Sequence, residues 1–220
     1  MLPVSAAHLL DAAYLADRAK LIDMKRAANP GPGAPKTGGT VYLASADAAG
    51  TMVSYIQSNY HGFGSGVVVP GTGISLHNRG EGFSLISGHP NIVAPGKRPL
   101  HTIIPGFITR DGSPVMAMGV MGGSMQAQGH VQMVTRLASF GQNPQATSDA
   151  PRFRVEPGPT VTLESHVPGG VPDSLRDRGH NVTVAQRESL DFGSAQLIYK
   201  AKHGYVAASD SRRDGQAVGF

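Results

Sequence analysis

The spacing of apolar residues divides the chain into stretches of different period. Over residues 5–27, Leu9, Leu10, Ala13, Leu15, Ala16, Ala19, Leu21 and Ile22 recur at helical spacing, which predicts a helix with Ser5 as its N-cap. Residues 28–39 carry no core-forming side chain and read as a Pro/Gly linker. The period then changes abruptly. Thr40–Ala44 and Met52–Ile56 are strand-like runs around the turn Asp47–Gly50, which predicts a hairpin.

Glycine dominates 58–82, with Val67, Val68 and Val69 read as a short buried strand. Strand patterns return at 102–109 and 115–120, joined through Arg110–Ser113. Residues 124–140 read as a helix whose apolar face carries Val131, Val134, Leu137 and Ala138, ended by Gly141. A short helix over 144–150 follows. Strands near 160–164 and 181–186 flank a helix from Pro172 to Arg178, and a last hairpin runs from Gln196 to Ala208 about Lys202–Gly204. Strands and helices alternate in blocks, which predicts an α+β fold of sheets covered by helices. No internal repeat is evident.

Composition narrows the functional classes. Of the 220 residues, 40% are hydrophobic and 15% charged, a globular balance. The net charge of +4 is mild, and the basic residues form no stripe interleaved with aromatics, so nucleic-acid binding is not supported. An anionic small substrate suits that charge. The chain has no cysteine, which excludes disulfides, a thiol nucleophile and thiolate metal sites. No apolar run is long enough to span a membrane, and no basic-then-apolar leader opens the chain. The cytoplasm is therefore expected, with the periplasm compatible.

Three short motifs carry candidate chemistry. Thr40 follows Gly38-Gly39 and opens a strand. A hydroxyl needs a base to become a nucleophile, and a threonine at a chain terminus has one in its own α-amine. That amine exists only if the Gly39–Thr40 bond is cut. On spacing alone, a strand-opening threonine after a turn is the commoner explanation, and Thr37 in the linker is a rival. Met121–Ser124 ends a strand and opens a helix, so the N–H groups of Gly122 and Gly123 could hold an oxyanion or simply make a tight turn. The run His61–Gly66 lacks the ending of a P-loop and opens no helix, which argues against nucleotide binding. No histidine pair has metal-ligand spacing, and no cofactor is expected.

Together these pieces resemble the γ-glutamyltransferase-like family. The resemblance rests on Gly39–Tyr42, Gln57–Gly66, Pro70–Gly73, Pro95–Pro99, Met121–Ser124, Asp149–Arg152 and Ser209-Asp210, in that order across 40–220. Residues 1–39 resemble the end of the family's large subunit, and 40–220 its small subunit. The resemblance implies an N-terminal-nucleophile hydrolase fold, an αββα sandwich of two stacked sheets between helix layers, here incomplete. It implies autoproteolysis between Gly39 and Thr40, with Thr40 as nucleophile, Ser58 as its hydrogen-bonding partner, and Gly122 and Gly123 as the oxyanion hole. Asn59, Tyr60, Asn78, Arg79, His101 and Thr102 fall on substrate-contacting positions.

Departures from the family pattern cluster on substrate recognition. Gly82 stands where an acidic residue holds the amino group of γ-glutamyl donors, with Glu81 one step away. Tyr60 replaces an asparagine, and His101-Thr102 replaces a pair of serines. These features resemble the oxamate amidohydrolase and cephalosporin-acylase-like branch. The expected function is an amide hydrolase or acyltransferase acting on a small carboxylate-bearing amide. A different reading is a non-catalytic family fragment acting as a subunit or an oligomerisation module. In both, a large-subunit-like chain or a second copy is the expected protein partner.

Overall fold

The computed structural model describes residues 11–21, 40–186 and 189–220. Strands β1 (Thr40–Ala46) and β2 (Met52–Ser58) form the expected hairpin. The Asp47 carboxylate closes its turn by accepting the Thr51 N–H at 2.9 Å. Pairing runs from Thr40↔Ser58 to Ala46↔Met52, so even-numbered residues share one face and odd-numbered residues the other. The even face turns inward: Tyr42 is 4% exposed, and its hydroxyl lies 2.6 Å from Ser54 Oγ. Burial pushes the Tyr42 phenol up to about 12, the Ser54 bond opposing. The odd face leaves Val41, Leu43, Val53 and Tyr55 exposed.

Beneath the hairpin lies a four-stranded antiparallel sheet. In chain order its strands are β3 (Gly106–Arg110), β4 (Ser113–Met121), and, after three strands of a separate sheet, β8 (Ser194–Ala201) and β9 (Gly204–Ser209). The pleat of β4 divides its side chains. Met116, Met118 and Val120 enter a core with Met133, Ala195, Leu197 and Ala208. Gly119 faces the other way, where an added Cβ would fall 2.6 Å from the Tyr42 ring and 2.4 Å from Ile104 Cδ1. Only glycine lets the hairpin and the sheet stack this closely.

Helix α2 (Met125–Ala138) covers the opposite face of β4. Its inward stripe keeps Leu137 of the predicted face, packed against the core, but not Val131, Val134 or Ala138. Met125, Gly129 and Met133 are buried, whereas Val131 is 65% exposed and Val134 36%. The reason is Gly129: a Cβ there would lie 2.7 Å from Val120 Cγ1, so the helix sits deepest on its glycine and turns its valines outward. Helix α3 (Pro144–Asp149) packs on β8 and β9, capped by the Asn143 side chain accepting from the Ala146 N–H at 2.8 Å. A third sheet joins β5 (Phe153–Val155), β6 (Thr160–Leu163) and β7 (Asn181–Val184), the last two parallel and linked through α4 (Val171–Asp177).

Other expectations change in detail. Helix α1 (Ala12–Ala19) is capped by Asp11, stops before Lys20 and buries no residue. Ser5, the rest of the expected helix and the linker with Thr37 and Gly39 lie outside the described residues. Val67 and Val68 are 54% and 55% exposed and make one bridge, Val68↔Ser75, rather than a buried strand. Gly64, Gly66, Gly71 and Gly73 around them all have positive φ, which coils the segment away from any ladder. Strand β5 carries no alternation that its sequence announces.

Candidate active site

The hairpin register makes the central pair. Thr40 and Ser58 are directly opposed at its open end on the inward face, and their hydroxyl oxygens are 2.8 Å apart. Ser58 Oγ also accepts the Tyr60 N–H at 2.9 Å and Arg79 Nη2 at 3.0 Å. Those two donors fill the lone pairs of the serine oxygen, so its own O–H points to Thr40 Oγ. Thr40 is thereby an acceptor in the pair, and its hydroxyl hydrogen is free to go elsewhere.

Tyr60 holds a left-handed backbone, φ 76°. Asparagine enters this region readily, whereas a bulky aromatic does so at a cost of about 1–3 kcal/mol. The Ser58 bond, the Arg79 guanidinium 5.0 Å from the ring centroid and the His61 ring at 3.9 Å hold it there. Arg79 is 8% exposed, and burial draws its pKa below the ordinary guanidinium value. Tyr60, Arg79, Gly82, Leu100, His101 and Thr102 line a cavity of about 170 Å3. A cavity of about 210 Å3 between β1, β8, β9 and the C-terminal residues offers no charged side chain.

Gly82 lies in this wall because nothing larger fits. A Cβ at 82 would meet the Leu100 carbonyl oxygen at 2.4 Å. The approach is fixed by Asn91, whose side-chain amide donates to the Gly82 carbonyl and accepts the Leu100 N–H at 3.0 Å. Glu81 is exposed and sits 3.8 Å from His61 Nε2. Asn78 is engaged with the His61 backbone, accepting its N–H at 3.0 Å and donating to its carbonyl at 3.3 Å. Asn59 gives its carbonyl to the Asn78 N–H. The structure thus brings Thr40, Ser58, Tyr60 and Arg79 into one hydrogen-bonded group, with His101 and Thr102 across the cavity. Asn59 and Asn78 form the loop clasp behind it.

Gly122 and Gly123 join β4 to α2 with φ of 141° and 58°. Their N–H groups donate to no acceptor among the described residues. A Cβ on Gly122 would fall 2.8 Å from the Gly193 Cα, so two glycine backbones touch. The Gly193 carbonyl in turn accepts Arg152 Nη1 at 2.8 Å. Arg152 is fully buried and pairs with Asp210 at 2.6 Å; Arg212 bonds both Asp210, at 3.1 Å, and Glu164. Burial alone would raise the Asp210 carboxyl, but Arg152, the Ala195 and Arg212 N–H groups and the Arg212 charge hold it below the usual carboxylate range. Sequence reasoning found Asp149–Arg152 and Ser209-Asp210 as motifs but gave them no role, because their meeting point is tertiary.

A family profile described as gamma-glutamyltranspeptidase matches residues 1–220. The chain is 36% identical over its full length to the oxamate amidohydrolase proenzyme of Klebsiella pneumoniae, covering 42% of that protein. It is also 36% identical to the glutathione hydrolase-like YwrD proenzyme of Bacillus subtilis, over 96% of this chain and 41% of that one. Among solved structures, cephalosporin acylase from Bacillus halodurans superposes with a TM-score of 0.75 at 48% identity, over 97% of this chain and 39% of that one. Gamma-glutamyltranspeptidase from Pseudomonas nitroreducens gives a TM-score of 0.67 at 27% identity, over 81% of this chain and 97% of that one. The chain thus spans about two fifths of the length of the curated relatives named here.

Proposed function

The chain belongs to the gamma-glutamyltranspeptidase family, with its N-terminal-nucleophile hydrolase fold, and on that premise we propose that it carries the nucleophile of an amide hydrolase or acyltransferase, Thr40. The observation that carries this reading is the Thr40–Ser58 hydroxyl pair at the opening of β1. In this reading Thr40 Oγ first attacks the Gly39 carbonyl, and hydrolysis of the resulting ester frees the Thr40 α-amine. The description of relatives as proenzymes supports such a step. The amine, with a reference pKa of about 7.7–8.0, then accepts the Oγ proton as Oγ adds to a substrate amide carbonyl. Ser58 orients the nucleophile by donating to it, which suits an Oγ whose own proton must reach the amine. The N–H groups of Gly122 and Gly123, which have no acceptor among the described residues, suit the oxyanion that develops. Collapse expels the amine with the borrowed proton, and water or a second amine cleaves the acyl-threonine ester.

The substrate in this reading is a small carboxylate-bearing amide. The size of the cavity and the relatives' names support a small acyl group. A γ-glutamyl donor lacks an acidic anchor here, since Gly82 has no room for one. Losing such a charge-assisted hydrogen bond costs about 1.5–3 kcal/mol, or roughly 10–150-fold. The exposed row Val41, Leu43, Val53 and Tyr55 is a face for a covering large-subunit-like chain or a second copy. That row equally supports the reading of the chain as a non-catalytic subunit. Mass spectrometry decides between them. Active protein yields fragments ending at Gly39 and beginning at Thr40, and Thr40→Ala yields one uncut, inactive chain. Cleavage or hydrolysis persisting in that variant removes Thr40 from the mechanism, while Thr37→Ala leaves both unchanged.

A further inference from the structure

Arg79 brings a positive charge to the nucleophile and is not neutralised there. Its Nε and Nη1 are buried without a hydrogen-bond partner, and Nη2 makes one bond, to Ser58. No carboxylate pairs with it among the described residues; the nearby Glu81 lies toward His61 instead. A buried guanidinium with unmet N–H groups is costly unless an anion reaches it. The Tyr60 ring covers one face of the group, and the donors along its Nε and Nη1 edge remain unpaired. Both residues line the small cavity, whose wall at Gly82 carries no side chain and whose far side presents His101 and Thr102. The site is therefore shaped and charged for a small anion.

This rests on the reading of Thr40 as nucleophile. We propose that Arg79 forms an anion subsite that holds a carboxylate on the acyl side of the substrate, selecting half-amides of short dicarboxylic acids. One hydroxyl, that of Ser58, separates the guanidinium from Thr40 Oγ. These two contacts, 2.8 and 3.0 Å, hold Arg79 Nη2 within about 6 Å of Thr40 Oγ, so a carboxylate on the guanidinium and a carbonyl at the hydroxyl belong to one short acyl group. Longer diacid half-amides overrun the cavity, and amides with a cationic acyl group meet a like charge.

The test uses the full 220-residue chain, malonate as probe and malonamide as the uncharged control, in calorimetric titrations at low ionic strength. Malonate binds and malonamide does not. Arg79→Gln weakens malonate by on the order of 10- to 100-fold. Arg79→Lys keeps the charge but not the planar fork and falls between. Equal malonate affinity in Arg79→Gln, or no malonate binding by the parent chain, overturns the proposal. Should Arg79→Gln not fold by circular dichroism, phenylglyoxal modification of the parent chain decides: malonate must slow modification of Arg79, and an unchanged rate overturns the subsite. Thr40→Ala separates the two readings. Malonate binding there, with no amide hydrolysis by the parent chain, sustains the subsite and sinks the nucleophile; hydrolysis without Arg79-dependent binding does the reverse.

Discussion

Two regions of this molecule bury arginines in opposite ways. Around Arg152 the charges are paired: Asp210 and Glu164 are fully buried and accept from two arginines and from backbone N–H groups, while backbone carbonyls take further Arg152 donors and leave Nε alone without a partner. Around Arg79 most donors are unanswered, the neighbouring loop is largely exposed, and the hairpin above turns apolar side chains to solvent. The first region is closed by its own sequence. On the proposed reading, the second is completed by a ligand. The contrast separates a part of the chain whose buried charges are paired within it from a part with unpaired buried donors and exposed apolar side chains.

The sharpest way to break that contrast is to unbalance the closed region. Asp210→Ala leaves Arg152 buried without its carboxylate, and loss of one member of such a pair costs about 3–5 kcal/mol. Urea unfolding should record the loss, and a cost under about 1 kcal/mol would show that this cluster is not what closes the fold. Next comes the contact between α2 and β4. Gly129→Ala places a Cβ 2.7 Å from Val120 Cγ1, and overpacking of this kind costs about 1–3 kcal/mol, read from the same titration.

Acid should weaken the contact between α2 and β4. His130 donates from Nδ1 to the Gln126 carbonyl at 2.6 Å, and Nε2 accepts the Val120 N–H at 3.4 Å, so the ring is held neutral. Burial lowers its pKa below 6.5, with the Gln126 bond opposing. The unfolded chain therefore takes up this proton first. The stability His130 contributes is full above about pH 6.5 and falls as pH drops toward the folded pKa, by at most about 1.4 kcal/mol per unit. Thermal melts from pH 8 to 5 should follow this slope, and His130→Asn should flatten it. The smallest effect on stability belongs to the open region. Val41→Ser with Tyr55→Ser changes unfolding free energy by only about 0.5 kcal/mol, both side chains being exposed, yet should weaken association in sedimentation. Unchanged association would place the partner surface elsewhere.

Much of the second region was legible before folding. The hairpin from Thr40 to Ser58 follows from β-rich runs around an Asp–Gly turn, and its register alone sets the two hydroxyls opposite each other. The pair Gly122-Gly123 announces a turn, and at Gly122 a Cβ would fall 2.8 Å from the Gly193 Cα. The orientation of α2 was not legible, because a periodicity of valines competes with a single glycine whose close approach to Val120 exists only in the packed state.

By itself, the sequence determined most of the order of elements, the family and the candidate nucleophile, since each depends on neighbours along the chain or on motifs at fixed spacing. Only the tertiary structure decided what meets across it. It brought Arg79 to Ser58 over a separation of 21 residues and Arg152 to Asp210 over one of 58. It also seated Gly193 against Gly122 and left Gly82 no space for a side chain. Such contacts arise where backbones from distant segments close on one another, and their energetics depend on burial, which no local pattern of residues encodes.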